Sequence, residues 1–219
     1  MKNLFVILFT LLIAVPSFAQ KKKKEKEDPS VFGVDSSYEL PKGIKEGKEA
    51  PSFTAYTFEG EAITLKDLIT EGPVVVLFYR GEWCPVCNKF LSNLSDSLAF
   101  IESAGAKVVA ISPQQPAAME KTQIKSETKV QLLEDRKGKI MEAFDVEFKV
   151  TEAYDNKIQL FLNANIAETN MMEEAMLPVP ATFIIDRDGV VRFKHLDLNY
   201  RVRASALDIK KALDNLETK

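Results

Sequence analysis

The chain is poor in the side chains that build disulfide frameworks and metal sites: its 219 residues include two cysteines and one histidine. Two cysteines are too few to staple a fold, which leaves redox or metal chemistry for them. A structural zinc site takes four ligands, and only His195 is available to join two thiolates. Covalent haem attachment needs a histidine directly after the second cysteine, and position 88 is Asn. A formal net charge of −3 offers no basic surface and no reason to expect nucleic acid as a partner. What is present, 46% hydrophobic and 28% charged residues, is a globular composition long enough for one domain with additions.

One long apolar stretch stands apart. Lys2 precedes Leu4 to Val15, interrupted only by Thr10, and Ser17-Phe18-Ala19 offers a small-x-small cleavage site. Residues 1–19 are expected to be a signal peptide. The mature chain is then exported, to a bacterial periplasm, with no stable membrane insertion after cleavage. No cysteine lies near that site, so a lipoprotein anchor is excluded. Residues 20–46 are expected to be a charged linker. Its run from Lys21 to Asp28 suits a solvated spacer, or a tether to anionic headgroups.

From residue 47 to 219 the pattern alternates strand and helix signals. Ala50 to Thr57 and the residues after Glu59-Gly60-Glu61 predict a short hairpin. Thr64 and Asp67 predict a capped helix start. Val74 to Tyr79, Lys107 to Ile111 and Val130 to Leu133 predict buried strands, with helices between them. Ala181 to Asp186 and Val190 to Leu196 predict a hairpin about Asp186-Arg187-Asp188-Gly189, and Ala206, Ile209, Leu213 and Leu216 line a closing helix. Residues 137–177 are less regular. Ile140, Met141, Phe144 and Phe148 suit one helix face, and Ile158, Leu160, Phe161 and Ile166 another apolar segment. Met171, Met172, Met176 and Leu177 suit core filling, or a partner surface. The fold class expected is α/β: a central mixed sheet flanked by helices, with an inserted segment before the final hairpin and helix.

The chemistry gathers at Cys84-Pro85-Val86-Cys87, between the first core strand and an amphipathic helix carrying Phe90, Leu91, Leu94, Leu98 and Ile101. Cys84 falls where the helix's free N–H groups and positive dipole end point, and Pro85 fits the first helical position. A thiol there is acidified, so Cys84 is expected to attack and Cys87 to close the disulfide. Arg80 either adds positive charge at the sulfur or ends the strand as a surface arginine. His195 either packs in the core or joins the thiolates in carrying copper. Pro180 opens a strand with either a cis or a trans peptide.

Three blocks in order then look familiar: Phe78 to Asn88, Ala110 to Gln114, and Val179 to Gly189. Together they resemble the peroxiredoxin-like branch of the alkyl hydroperoxide reductase/thiol-specific antioxidant superfamily. The resemblance implies a thioredoxin-like fold over about residues 47–217, a cis Pro180 beside the dithiol, and supporting roles for Trp83 and Arg80. It implies reduction of a peroxide or disulfide substrate, recycling by a thioredoxin-like reductant, and no cofactor or metal. Peroxiredoxins carry Thr or Ser where this chain has Gly81, Pro where it has Leu77, and an arginine where it has Pro180. Thioredoxins share Glu82 and Trp83 but carry a buried acid where this chain has Phe78. A thiol peroxidase is the leading expectation. A thiol–disulfide oxidoreductase is the second, and a non-catalytic copper carrier or redox-sensing partner the third.

Overall fold

A computed structural model describes residues 27–217. The expected signal peptide and the start of the charged run lie outside these residues. The first five strands are β1 (Thr54–Tyr56), β2 (Ala62–Thr64), β3 (Val74–Phe78), β4 (Lys107–Ser112) and β5 (Gln131–Glu134). Later come the short pair β6 (Glu147–Lys149) and β7 (Met176–Pro178), then β8 (Ala181–Ile185) and β9 (Val191–Leu196). The main sheet runs β2-β1-β5-β4-β3-β8-β9, while β6 and β7 pair separately. Strands β3, β4 and β5 are parallel, and every other pairing is antiparallel. The sheet is mixed, as the sequence pattern predicts.

The central strand explains the layering. All five residues of β3 are buried, and its side chains alternate between the two faces. Val75 and Leu77 join the cluster that contains Cys84, Cys87 and Leu91, whereas Val74, Val76 and Phe78 join Phe53, Phe144 and Phe183 behind the sheet. The first cluster is covered by α2 (Pro85–Asp96), α3 (Leu98–Glu102), α4 (Pro116–Ser126) and α8 (Ala206–Glu217). Behind the sheet lie α1 (Leu65–Glu71) and α5 (Lys139–Ala143). Two further helices, α6 (Glu152–Leu162) and α7 (Ile166–Thr169), complete the inserted segment.

Local chemistry sets the element ends. Thr64 Oγ1 accepts from Asp67 N–H at 3.1 Å and caps α1. Gly72 closes α1 against another turn: a Cβ there would lie 2.0 Å from the Gly105 carbonyl oxygen, so no side chain fits. In the β8–β9 turn, Asp186 Oδ1 accepts from Asp188 N–H and Val190 N–H at 3.0 and 2.9 Å.

Several expectations are corrected. Phe144 and Phe148 do not share a helix: Asp145, at φ +53°, ends the helical run, and Phe148 lies on β6. Leu160 and Phe161 are exposed, because α6 buries only the narrow stripe of Tyr154 and Ile158. Of the stretch expected as linker, residues 29–46 meet the domain at several points, while Ser30, Val31 and residues 36–39 are exposed. A short 3-10 turn (Pro29–Phe32) buries Phe32, and Val34 bridges to Val150. Phe32, Gly33, Val34, Pro41 and Gly43 are the buried members of this stretch.

Candidate active site

Strand β3 and helix α2 meet at Arg80-Gly81-Glu82-Trp83-Cys84, and all of these but Glu82 are buried. Cys84 is the N-cap of α2, and its Sγ accepts from Cys87 N–H at 3.3 Å. The sulfur thus takes the place of the oxygen that usually caps a helix. Pro85 occupies the first helical position, where no N–H is required. Both cysteines are reduced and buried, with 1% and 0% of their surface exposed.

Of the two readings of Arg80, the surface arginine is ruled out. It is 2% exposed, donates through Nη2 to Cys84 Sγ at 3.3 Å, and donates through Nη1 to Tyr154 Oη at 2.8 Å. Its guanidinium lies 3.6 Å from the centroid of the Tyr200 ring and 5.2 Å from that of Trp83. Burial alone opposes its charge, but the sulfurs of Cys84 and Cys87 outweigh burial and hold the guanidinium firmly protonated. Aromatic faces do the rest of the desolvated cation's coordination.

A second guanidinium reaches the other sulfur. Arg203, in the loop between β9 and α8, has Nη2 3.6 Å from Cys87 Sγ. The two thiols therefore ionise as a pair. Hydrogen bonding with Cys87, and then burial, push the Cys84 thiol well up. At Cys87 burial acts in the same direction, but Cys84, Arg203 and Arg80 outweigh it and pull that thiol well down. The pair gives up its first proton below the ordinary thiol range and keeps the second well above it. The helix terminus alone, argued from sequence, put the whole acidification on Cys84. In the folded protein Cys87 is the thiol pulled down and Cys84 the one pushed up, because only the fold brings Arg203 to the inner sulfur.

Gln114 completes the frame. Its buried Oε1 accepts from Glu82 N–H at 3.0 Å and from Thr122 Oγ1 at 3.2 Å, fixing the turn that carries Trp83. Trp83 itself is 4% exposed. Pro180 is buried between β7 and β8, and no cis peptide occurs among the described residues, so the cis bond implied by the resemblance is not there. Val179 and Pro180 carry the chain from β7 of the short sheet to β8 of the main one through trans peptides. His195 is neither packed in the core nor set in a ligand cluster: it is half-buried on β9, with Nε2 3.4 Å from the Val202 carbonyl oxygen. No cluster of three or more metal-ligating side chains occurs among the described residues.

Sequence reasoning missed Tyr154, Tyr200 and Arg203. The one available signal was the run Tyr200 to Arg203, with its aromatic and two arginines between a strand and a helix. A groove of 510 Å³ borders the dithiol, lined by Glu82, Trp83, Asn88, Lys89, Ser92 and Lys125, among others. A larger one of 1080 Å³ lies at the opposite end of β3, between Pro73, Gly105, Asp186 and Leu213, away from every residue of this site.

Residues 47–194 match the AhpC/TSA family. The thiol–disulfide oxidoreductase ResA of Bacillus cereus is 26% identical over 145 residues, covering 66% of this chain and 66% of ResA. The chloroplastic peroxiredoxin Q of Oryza sativa subsp. japonica is 27% identical over 150 residues, 68% of this chain but 58% of that protein. In structure, a peroxiredoxin-like protein from Aquifex aeolicus superposes with a TM-score of 0.61 at 18% identity, over 81% of this chain and 90% of that one. Peroxidoxin BcpB from Mycobacterium tuberculosis gives 0.58 at 21% identity, over 82% and 98%. The fold is thus the thioredoxin-like fold of peroxiredoxins.

Proposed function

The chain belongs to the AhpC/TSA family, and from that premise and the site geometry we propose that it is a thiol-dependent oxidoreductase of the peroxidase type. The observation that carries this reading is Cys84 Sγ, held between Cys87 N–H and Arg80 Nη2 at 3.3 Å each. Passing the shared proton to Cys87 leaves a thiolate at Cys84 where two donors converge. That thiolate attacks one peroxide oxygen: the S–O bond forms, the O–O bond breaks, and the departing oxygen takes up a proton. Cys84 becomes a sulfenic acid. Cys87 then attacks Cys84 Sγ, the disulfide forms, and water leaves. A thioredoxin-like dithiol donor restores the pair and is itself oxidised to a disulfide.

Access favours a peroxide over a protein disulfide. With 1% and 0% of the two cysteines exposed, a two-oxygen oxidant reaches the sulfur far more readily than a disulfide on a folded chain. Arg80 Nη2 is also placed to donate to the peroxide as it arrives. The second reading, disulfide exchange, is favoured by the dithiol itself and by Trp83 ahead of it.

Stoichiometric hydrogen peroxide separates the two. Reduced protein is expected to lose both thiols within the mixing time of a manual assay, with a change in Trp83 fluorescence. Thiol loss no faster than that of free cysteine would refute the peroxidase reading. Cys84→Ser is expected to abolish the reaction, by 10³-fold or more on the order of a removed nucleophile. Cys87→Ser should still react once and stop at the sulfenate, detectable by dimedone labelling.

A further inference from the structure

We propose that Arg203 is a positioning residue for Cys87: it holds that sulfur as the leaving and resolving thiolate, so that the dithiol has one guanidinium for each sulfur. The inference rests on the dithiol chemistry above, whichever oxidant feeds it. Cys87 needs such a partner. It is wholly buried, and Leu91 and Leu94 follow it inward along α2. Burial in those surroundings penalises a thiolate.

Arg203 is built to meet that need. Its Nε donates to the Tyr200 carbonyl oxygen at 2.7 Å, and its guanidinium lies 5.0 Å from the ring centroid of Phe90, three residues beyond Cys87 on α2. Anchored on those two sides, Nη2 points at Cys87 Sγ from 3.6 Å. The same loop sends Tyr200 across Arg80, which holds Cys84. One loop therefore organises both cations. The charged and titratable groups facing Cys87 are Cys84, Arg80, Tyr79 and Arg203, and of these Arg203 alone comes from outside the β3–α2 segment.

The consequence falls on reduction of the disulfide. A donor thiolate attacks Cys84 Sγ, the Cys84–Cys87 bond breaks, and its electron pair goes to Cys87 Sγ beside Arg203. The donor's second thiolate then attacks its own sulfur in the mixed disulfide. Cys84 is released as a thiolate and the donor as a disulfide, two electrons having passed. A stabilised Cys87 thiolate makes the first step faster and the pair more oxidising.

The measurement is the pH titration of thiolate absorbance at 240 nm in full-length Cys84→Ser, with and without Arg203→Gln or Arg203→Lys. Redox equilibration of the otherwise unaltered chain with dithiothreitol accompanies it. Cys87 in Cys84→Ser is expected to titrate below about 8.5, the ordinary thiol value. Arg203→Gln should move the midpoint up by on the order of one pH unit. In the two-cysteine chain, equilibrated at a pH above both midpoints, it should shift the equilibrium about tenfold toward the disulfide, or about 30 mV. Arg203→Lys should recover most of both changes. A midpoint at or above the ordinary value in Cys84→Ser overturns the proposal without any Arg203 variant having to fold. So does an Arg203→Gln protein with unchanged midpoint and equilibrium, or a lysine variant that behaves like glutamine. Absence of peroxide reactivity in the parent would instead remove the peroxidase reading and leave this titration standing.

Discussion

Gly81 stands where peroxiredoxins carry a hydroxyl residue, and Trp83 is the reason. A Cβ at position 81 would lie 2.6 Å from Trp83 Nε1 and 3.1 Å from Gln114 Nε2. As Trp83 lies here, a side chain at position 81 has no room beside it unless the ring shifts. Phe78 is the same kind of exchange. It points behind the sheet, with ring centroids 5.4 and 6.1 Å from Phe144 and Phe183, so the thioredoxin acid's position is spent on core packing. Gly81→Ala is therefore expected to cost about 1–3 kcal/mol by overpacking. It should also displace Trp83, read out as a lower urea midpoint and an altered tryptophan emission. An unchanged midpoint would mean that the ring moves aside freely. Cys84, Cys87 and Trp83 were legible from the sequence because their chemistry is local. Arg203 was not, being 116 residues from the sulfur it meets.

Among the elements, α5 packs Ile140 and Met141 behind the sheet and has its first N–H groups met by a single side chain. Asp135, wholly buried, accepts from Ile140 N–H through Oδ1 and from Met141 N–H through Oδ2, both at 2.8 Å. Burial outweighs those donors and raises its carboxyl from 3.8 to about 6. Below 3.8 the group is protonated in folded and unfolded chains alike, and between there and about 6 the folded chain alone retains the proton. Its contribution is thus complete below 3.8 and is lost as pH rises through about 6, an effect of up to about 3 kcal/mol. Asp135→Ala should destabilise the protein by about 1–3 kcal/mol through two orphaned N–H groups. The loss should be larger at pH 4.5 than at pH 7.5 when urea unfolding is compared at both. Equal losses would show that the carboxyl titrates normally. Sequence periodicity located α2 and α8, whose apolar stripes are regular. It failed across residues 137–177, where short elements are closed by positive-φ residues such as Asp145 and Asn163.

Across the whole molecule, the segment ahead of residue 47 reaches the dithiol through two tyrosines. Phe32 meets Tyr200 edge-on, with ring centroids 6.1 Å apart, and Gly33, at φ +88°, lies against the Tyr154 ring. A Cβ on Gly33 would be 2.6 Å from that ring. Tyr154 and Tyr200 are the groups that hold Arg80 on Cys84. Phe32→Ala should then lower stability by about 3 kcal/mol. It should also speed alkylation of Cys84 by iodoacetamide several-fold, measured by mass spectrometry of the labelled peptide. Faster unfolding with unchanged labelling under native conditions would confine the segment to a packing role.

Sequence alone determined the layered α/β order, the strand-to-helix turn bearing the dithiol, and the thiol chemistry, because each rests on periodicity or on spacing within a few residues. The tertiary structure alone decided which cations serve the sulfurs. It also decided that Pro180 is trans, that Gly81 makes room for Trp83, and that the segment from Pro29 to Val34 underlies the site. Arg80 is held on Cys84 by side chains at positions 154 and 200, and the second cation at Cys87 comes from position 203. Contacts over such separations leave no periodic trace in the chain, and they exist only once it is folded.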